Sequence, residues 1–257
     1  MSVWAFGTLA TARQAWDDWE SPSCFKLVRP MRREDEILRL LLPDPTNCGT
    51  VLDCASGIGT QAIALATMGY NVEGSDSSEF SIRHAQQNAE RRGLVIPFRV
   101  DDVRDLRTAR DQHYGAVIAL DNVLPHLGSD SGIRTAIAAM HSRLRTGGVL
   151  LTGIRDYDPV LPSRPTIMTP NFSGNGSGRR IFHEVWDWHD ERRYTCHVYV
   201  TTEIARNWQV KHFTGEYCAI LKCEMANLLR EAGFGDVQVL SPEQSGFHQP
   251  LILGKKH

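Results

Sequence analysis

The chain of 257 residues is short of several things, and each shortage removes a class of explanation. Its six cysteines, at positions 24, 48, 54, 196, 218 and 223, include no C-x-x-C pair. That scatter suits reduced thiols better than a disulfide frame or a zinc site, and Cys54 and Cys196 have the setting of inert buried strand residues. His183 and His189 are not at zinc spacing either, so no metal is expected. No apolar run approaches the ~20 residues that a membrane span requires, and no membrane partner is expected. The first residues, MSVWAFGTLATARQAWDDWE, mix acids with tryptophans and lack the basic-then-apolar order of a signal peptide. A cytoplasmic location is therefore expected, and the N-x-S matches at Asn171 and Asn175 read as chance occurrences in a loop. The net charge is only −2, with no long run of one sign, no basic stripe and no N-P-P-[YF] loop. Nucleic acid is accordingly not an expected partner.

What is present is an alternation of strand-like and helix-like segments from Val51 to about Leu151. Strands are expected at Val51–Cys54, Asn71–Gly74, Pro97–Val100, Ala116–Leu120 and Val149–Gly153. Helices are expected between them at Gln61–Met68, at Glu79–Arg92 behind a Ser77/Ser78 cap and before Gly93, and at Gly132–Leu144. The near-continuous apolar AVIAL suits a strand buried on both faces, and the alternation implies right-handed crossovers and a parallel sheet. Residues 1–48 read as a helical lid, with an apolar stripe of Ile37, Leu38, Leu40 and Leu41 ahead of Pro43. Residues 49–158 are the core. Residues 159–221 begin as a Pro, Ser, Gly and Asn-rich loop and then change to the period of two of an antiparallel layer. Residues 222–257 add a last helix at Lys222–Glu231 and closing strands near Val237–Leu240 and Leu251–Gly254.

Four features fall at the C-terminal ends of successive strands, where an open α/β sheet takes its ligands. The first is Asp53-Cys54-Ala55-Ser56-Gly57-Ile58-Gly59, a small-residue turn into a helix N-terminus. Its Gly57-x-Gly59-x-x-Ala62 spacing is shared with NAD enzymes and decides nothing alone. Asp53 is the discriminator, because a carboxylate there repels a diphosphate and attracts a cation. Asp76, ending the second strand, can accept both hydroxyls of a ribose. Asp101-Asp102-Val103 offers a carboxylate and a backbone N–H to an adenine edge, and Asp121-Asn122 follows AVIAL.

Together LDCASGIGTQAIALA, NVEGSD, VDDVRDL, VIALDNVLPHL and LRTGGVLLTGIRDYD resemble the class I S-adenosylmethionine (SAM)-dependent methyltransferases. Within them the chain is similar to the glycine/sarcosine N-methyltransferase-like small-molecule branch, over roughly residues 30 to 257. The resemblance implies a Rossmann-like, mostly parallel seven-stranded sheet with helices on both faces, an antiparallel β insertion and an N-terminal helical lid. It also implies SAM as cofactor and S-adenosyl-L-homocysteine as product. Asp53, Ala55, Gly57 and Gly59 would pack on the methionine and ribose parts, and Asp76 with Ser77 would hold the ribose. Asp102 and the Val103 N–H would read adenine, and Leu120 and Asp121 would lie near the sulfonium and ammonium. Arg33 is a weaker candidate for the cofactor carboxylate, and Ala55 departs from the glycine common at that place.

Methyl transfer needs an aligned nucleophile, removal of its proton and exclusion of water. Candidates at the fourth and fifth strand ends are Asn122, His126, Arg155, Asp156 and Tyr157. His126 is read as a general base or as pocket wall, and Tyr157 as an orienting group. Arg155 is read as a carboxylate clamp or as a partner of Asp156 or Asp158. Trp186, Trp188, His183, His197, Tyr199, Trp208 and Tyr217 either favour an aromatic acceptor or form the core of the β insertion. Trp4, Phe6, Trp16 and Trp19 are read as part of the lid. The expected partner is a small molecule, accepting at nitrogen by preference, with carbon or oxygen open and specialised metabolism as the setting. A homodimer is compatible with this reading. An NAD(P) oxidoreductase and a non-catalytic SAM-binding scaffold are the alternatives, the former lacking a Y-x-x-x-K constellation after the fourth strand.

Overall fold

The structure is a computed structural model that describes residues 34–174 and 178–257. Arg33 and the lid aromatics Trp4, Phe6, Trp16 and Trp19 lie outside the described residues. Helix α1 (Glu34–Leu41) and the short α2 (Pro45–Cys48) lead into β1 (Thr50–Asp53). Then come α3 (Thr60–Thr67), β2 (Asn71–Asp76), α4 (Glu79–Glu90), β3 (Phe98–Val100), β4 (Tyr114–Ala119), α5 (Asp130–Arg143) and β5 (Leu144–Gly153). After β6 (Asn171–Ser173) the chain runs through β7 (Arg180–Trp188), β8 (Arg193–Ile204) and β9 (Asn207–Cys218). It closes with α6 (Lys222–Glu231), β10 (Phe234–Leu240), α7 (Pro242–Ser245) and β11 (Leu251–Lys256).

Seven strands form one sheet in the order β10-β11-β5-β4-β1-β2-β3. The five from β3 to β5 are parallel, and β11 runs antiparallel between β5 and β10. The centre is apolar on both faces because each face is covered. Val51, Ala116 and Ile118 pack with Ala62, Ile82 and Ala85 of α3 and α4 and with Ile37 and Leu38 of α1. Leu52, Val117 and Ala119 point the other way, onto Ile137 and Met140 of α5 and Met225 and Leu229 of α6. Truncating Leu52, wholly buried, to alanine should cost about 2–5 kcal/mol. The α1 stripe differs from expectation by one residue, for Leu40 is 65% exposed while Leu42 is buried.

Local signals set the joints. Ser78 caps α4 by accepting from the Ser81 N–H, and Ser129 caps α5 through Gly132, each cap worth about 1 kcal/mol. Strands β6 to β9 make a separate antiparallel sheet, with β7, β8 and β9 paired in register along their lengths. Its inner face buries Trp186, Tyr194, Cys196, Val198, Phe213 and Tyr217 against Tyr157 of the core. Strand β6 and an Ile167–Val185 bridge fall inside the segment expected to be loop, where Pro, Ser and Gly hide a short pairing. Among the described residues no helix is long and apolar enough to cross a membrane.

Candidate active site

The turn after β1 is bolted to the end of β2. Gly57, at φ 52°, donates its N–H to Asp76 Oδ2 at 3.0 Å, and the Ser56 N–H donates to the Ser75 carbonyl. Gly59, at φ 87°, opens α3, and a Cβ there would come within 3.1–3.3 Å of Phe98, Ala85 and Ile63. Its missing side chain is therefore demanded by backbone handedness and by the packing of β3 and α4 behind it. Asp76 Oδ1 accepts from the Ser78 N–H at 2.9 Å. Burial, partly offset by the amides of Ser78 and Gly57, pushes the Asp76 carboxyl up to about 7. Asp53 is buried too, and its Oδ2 has no hydrogen-bond partner among the described residues. Burial first, then the charges of Asp121 and Asp76, push Asp53 up to about 8.

Asp121 and Asn122 both stand in the left-handed region, at φ 58° and 66°, which aspartate and asparagine tolerate better than most side chains. That bend turns Asp121 toward Gln61 Nε2, 2.8 Å from Oδ2, and toward His248 Nε2, 3.4 Å from Oδ1. It turns Asn122 inward, where its Oδ1 accepts from the Arg155 N–H and its Nδ2 donates to the Tyr157 hydroxyl.

A cavity of about 170 Å³ lies over these strand ends, lined by Cys54, Ala55, Asp76, Ser77, Asp102 and Val103, and closed by Arg104, His126 and Leu127. The residues expected around ribose and adenine are thus in one place. Asp102 is bonded there to Arg104, with Oδ2 2.5 Å from Nη2. Asp101 points away and ties the following turn through the Arg107 and Thr108 amides. Leu120 is buried at the end of β4. His126, in a 3-10 turn over Leu124–Leu127, sets its ring against Tyr217 at 3.9 Å. Burial, aided by the Arg155 charge, lowers His126 to about 3, so it is neutral and a weak base at ordinary pH.

Of the other candidates, Arg155 and Asp156 reach the wall of a second cavity. Arg155 pairs with neither Asp156 nor Asp158. Its Nη2 bonds buried Glu184 at 3.1 and 3.3 Å, and its guanidinium lies 4.3 Å over the Trp186 ring. The alternation of β7 points Glu184 inward, whereas Asp156 and Asp158 face Lys222 at 2.9 and 3.7 Å. Tyr157 is wholly buried, with its hydroxyl spent on Asn122 and Tyr194. Trp186, Tyr194 and Tyr217 stack in sequence at 4.3 and 5.2 Å, as the insertion's own core.

A second cavity of about 260 Å³ opens where this insertion meets the turn before β11. Its wall includes Met168, Phe182, His183, Glu184, His248 and Gln249. Gln61, Arg104, Glu184, His248 and Gln249 are not among the residues expected from the sequence. The single signal for the last two is a polar His-Gln pair wedged between Phe247 and the closing apolar strand.

The residues present fit a cation-bearing adenosine compound. Two buried carboxyls are driven toward neutrality, one with an orphaned oxygen, at the turn beside a ribose-height Asp76. A methyltransferase-domain family model matches residues 51–148, the span that carries these strand ends. The match spans the strand-end core alone, well under half of the chain.

Other likenesses agree at their own levels. The glycine/sarcosine N-methyltransferase of Halorhodospira halochloris is 32% identical over 43% of this chain and 41% of its own length. That of Parasynechococcus marenigrum is 30% identical over 57% of this chain and 50% of its length. The chain thus spans about half or less of the curated relatives' length. Among solved structures, Streptomyces venezuelae DesVI superposes with a TM-score of 0.72 at 17% identity, covering 86% of this chain and 89% of that one. SAM-bound CalS10, an amino pentose methyltransferase from Micromonospora echinaspora, gives 0.71 at 16%, over 87% and 89%. Those two show the shared fold.

Proposed function

We propose that the protein methylates a nitrogen atom of a small-molecule acceptor using SAM, in specialised metabolism. The observation that carries this reading is the orphaned, buried Asp53 carboxyl beside Asp76 and Asp121. A cationic ligand relieves that repulsion, whereas the diphosphate of a dinucleotide deepens it. Asp53 and Asp121 would face the cationic end of SAM, Asp76 and Ser77 the ribose, and Asp102 and Val103 the adenine. When bound, SAM supplies an electrophilic methyl: the acceptor nitrogen takes it, the C–S bonding pair stays on sulfur, and the nitrogen's proton leaves to a base.

The chain's own part is positioning, shielding and proton removal. His126 holds too little proton affinity for the last task. His248, on the wall of the second cavity with Asp121 behind it, is better placed to receive a proton from an acceptor there. Preference for nitrogen is supported by the N-methyltransferase relatives and by neighbours whose names include a sugar N-methyltransferase. A second cavity with His248 on its wall and Asp121 behind it supports a reaction between two ligands over simple SAM storage.

Calorimetry with SAM, S-adenosylhomocysteine and NAD tests the cofactor. Binding of the first two is expected, and binding of NAD alone overturns the reading. Mass spectrometry of a metabolite panel incubated with SAM should then show a methylene-sized gain on an amine.

A further inference from the structure

The second cavity contains a buried group with nothing to bind. Gln249 is only 2% exposed, and neither its Oε1 nor its Nε2 has a hydrogen-bond partner among the described residues. A buried carboxamide left unsatisfied is costly, so such a group is kept where something else completes it. Its place is specific. A Cβ on Gly153 would meet Gln249 Oε1 at 3.7 Å and the Asp121 N–H at 3.5 Å. The amide therefore sits at the junction of β4 and β5, beside Asp121. His248, the preceding residue, reaches Asp121 itself.

The charges around this cavity limit what can enter. Arg155 is bonded to Glu184, and Lys222 to Asp156. The Glu184 and Asp156 carboxylates on this wall can each face an ammonium group. The walls also offer the hydroxyl-sized polar groups of Thr169 and Asn171 beside Phe182 and Met168. At about 260 Å³ the space lies below the roughly 300–1,000 Å³ of pockets for drug-sized ligands. The carboxamide, one donor and one acceptor side by side, matches a group that offers both, as a hydroxyl does.

We propose that this cavity holds the acceptor, that the acceptor is a compact hydroxylated amine, and that Gln249 selects it by hydrogen-bonding a hydroxyl. The inference rests on the methyltransferase reading above and names the substrate class of that same site.

The test uses the full chain, with serinol and D-glucosamine as hydroxylated amines against glycine and sarcosine, and product read by mass spectrometry. At least one hydroxylated amine should be methylated with a kcat/KM ten-fold or more above glycine. Gln249→Leu should raise its KM ten-fold or more, leaving kcat and S-adenosylhomocysteine affinity within two- to three-fold. Gln249→Glu, nearly the same size and still polar, guards against misfolding of the leucine variant and should raise KM as well. Preference for glycine, no turnover of either hydroxylated amine by protein that binds S-adenosylhomocysteine, or an unchanged KM in both variants each overturns the proposal. Failure to bind S-adenosylhomocysteine at all instead overturns the methyltransferase reading on which it rests.

Discussion

The ligand end of the seven-stranded sheet and the antiparallel layer beside it handle buried charge in opposite ways. In the layer, Glu184 and Arg155 answer one another, the Trp186 indole N–H also donates to Glu184, and the ring lies under the guanidinium. At the sheet end, Asp53, Asp76 and Asp121 gather with no lysine or arginine paired to them among the described residues, and Asp53 keeps an orphaned oxygen. Self-satisfaction marks scaffold, whereas shared frustration marks a place that a ligand completes. The arginine that invites a reading as a substrate clamp holds Glu184 through Nη2 and also lines the second cavity.

The sharpest way to break this contrast is Glu184→Ala. It leaves the Arg155 guanidinium buried without its carboxylate and should destabilise the fold by about 3–5 kcal/mol in urea unfolding. A loss below 1 kcal/mol would mean that the layer is not built around this pair. Asp76→Ala should leave the fold standing but weaken SAM binding by about 1–3 kcal/mol by calorimetry, as one ribose acceptor goes. Unchanged affinity would take Asp76 off the ribose.

Protonation offers a subtler probe. Folded Asp53 and Asp76 hold protons that an unfolded aspartate has lost, so stability without ligand should fall as pH rises between about 4 and 8. SAM favours the ionised forms, so its affinity should climb over the upper part of that range and its binding should release protons, visible as buffer-dependent heats. Asp53→Asn should flatten both trends, and if it leaves them intact the sheet-end acids are not the source. The smallest effect is expected at His126. With a pKa near 3 it is neutral throughout the working range, so His126→Asn should leave the pH profile of kcat unmoved while shifting KM for SAM a few-fold. Loss of an acidic limb from that profile would restore it as the base.

The sequence showed the sheet well because its signals are local. AVIAL has to be buried on both faces, and Ser78 or Ser129 cap their helices within three residues. The cofactor-side acids were legible for the same reason, each ending a strand that announces itself. The acceptor side was not. Glu184 finds Arg155 across 29 residues, Gln61 finds Asp121 across 60, and His248 returns to Asp121 from the far end of the chain. Such pairs depend on how two sheets dock, which no window of neighbouring residues encodes. Aromatic abundance in β7 to β9 answers to both readings: Trp186, Tyr194 and Tyr217 stack as a core, while Phe182 and His183 line the second cavity.

The left-handed step at Asp121-Asn122 has a consequence for anyone re-engineering the protein. One bend serves two masters, since Asp121 holds Gln61 and His248 while Asn122 fastens Arg155 and Tyr157. The dipeptide is a fixed pivot that a redesign should keep whole. Variation intended to change the acceptor belongs instead along Met168, Phe182 and His183, where the wall can be rebuilt without disturbing the pivot.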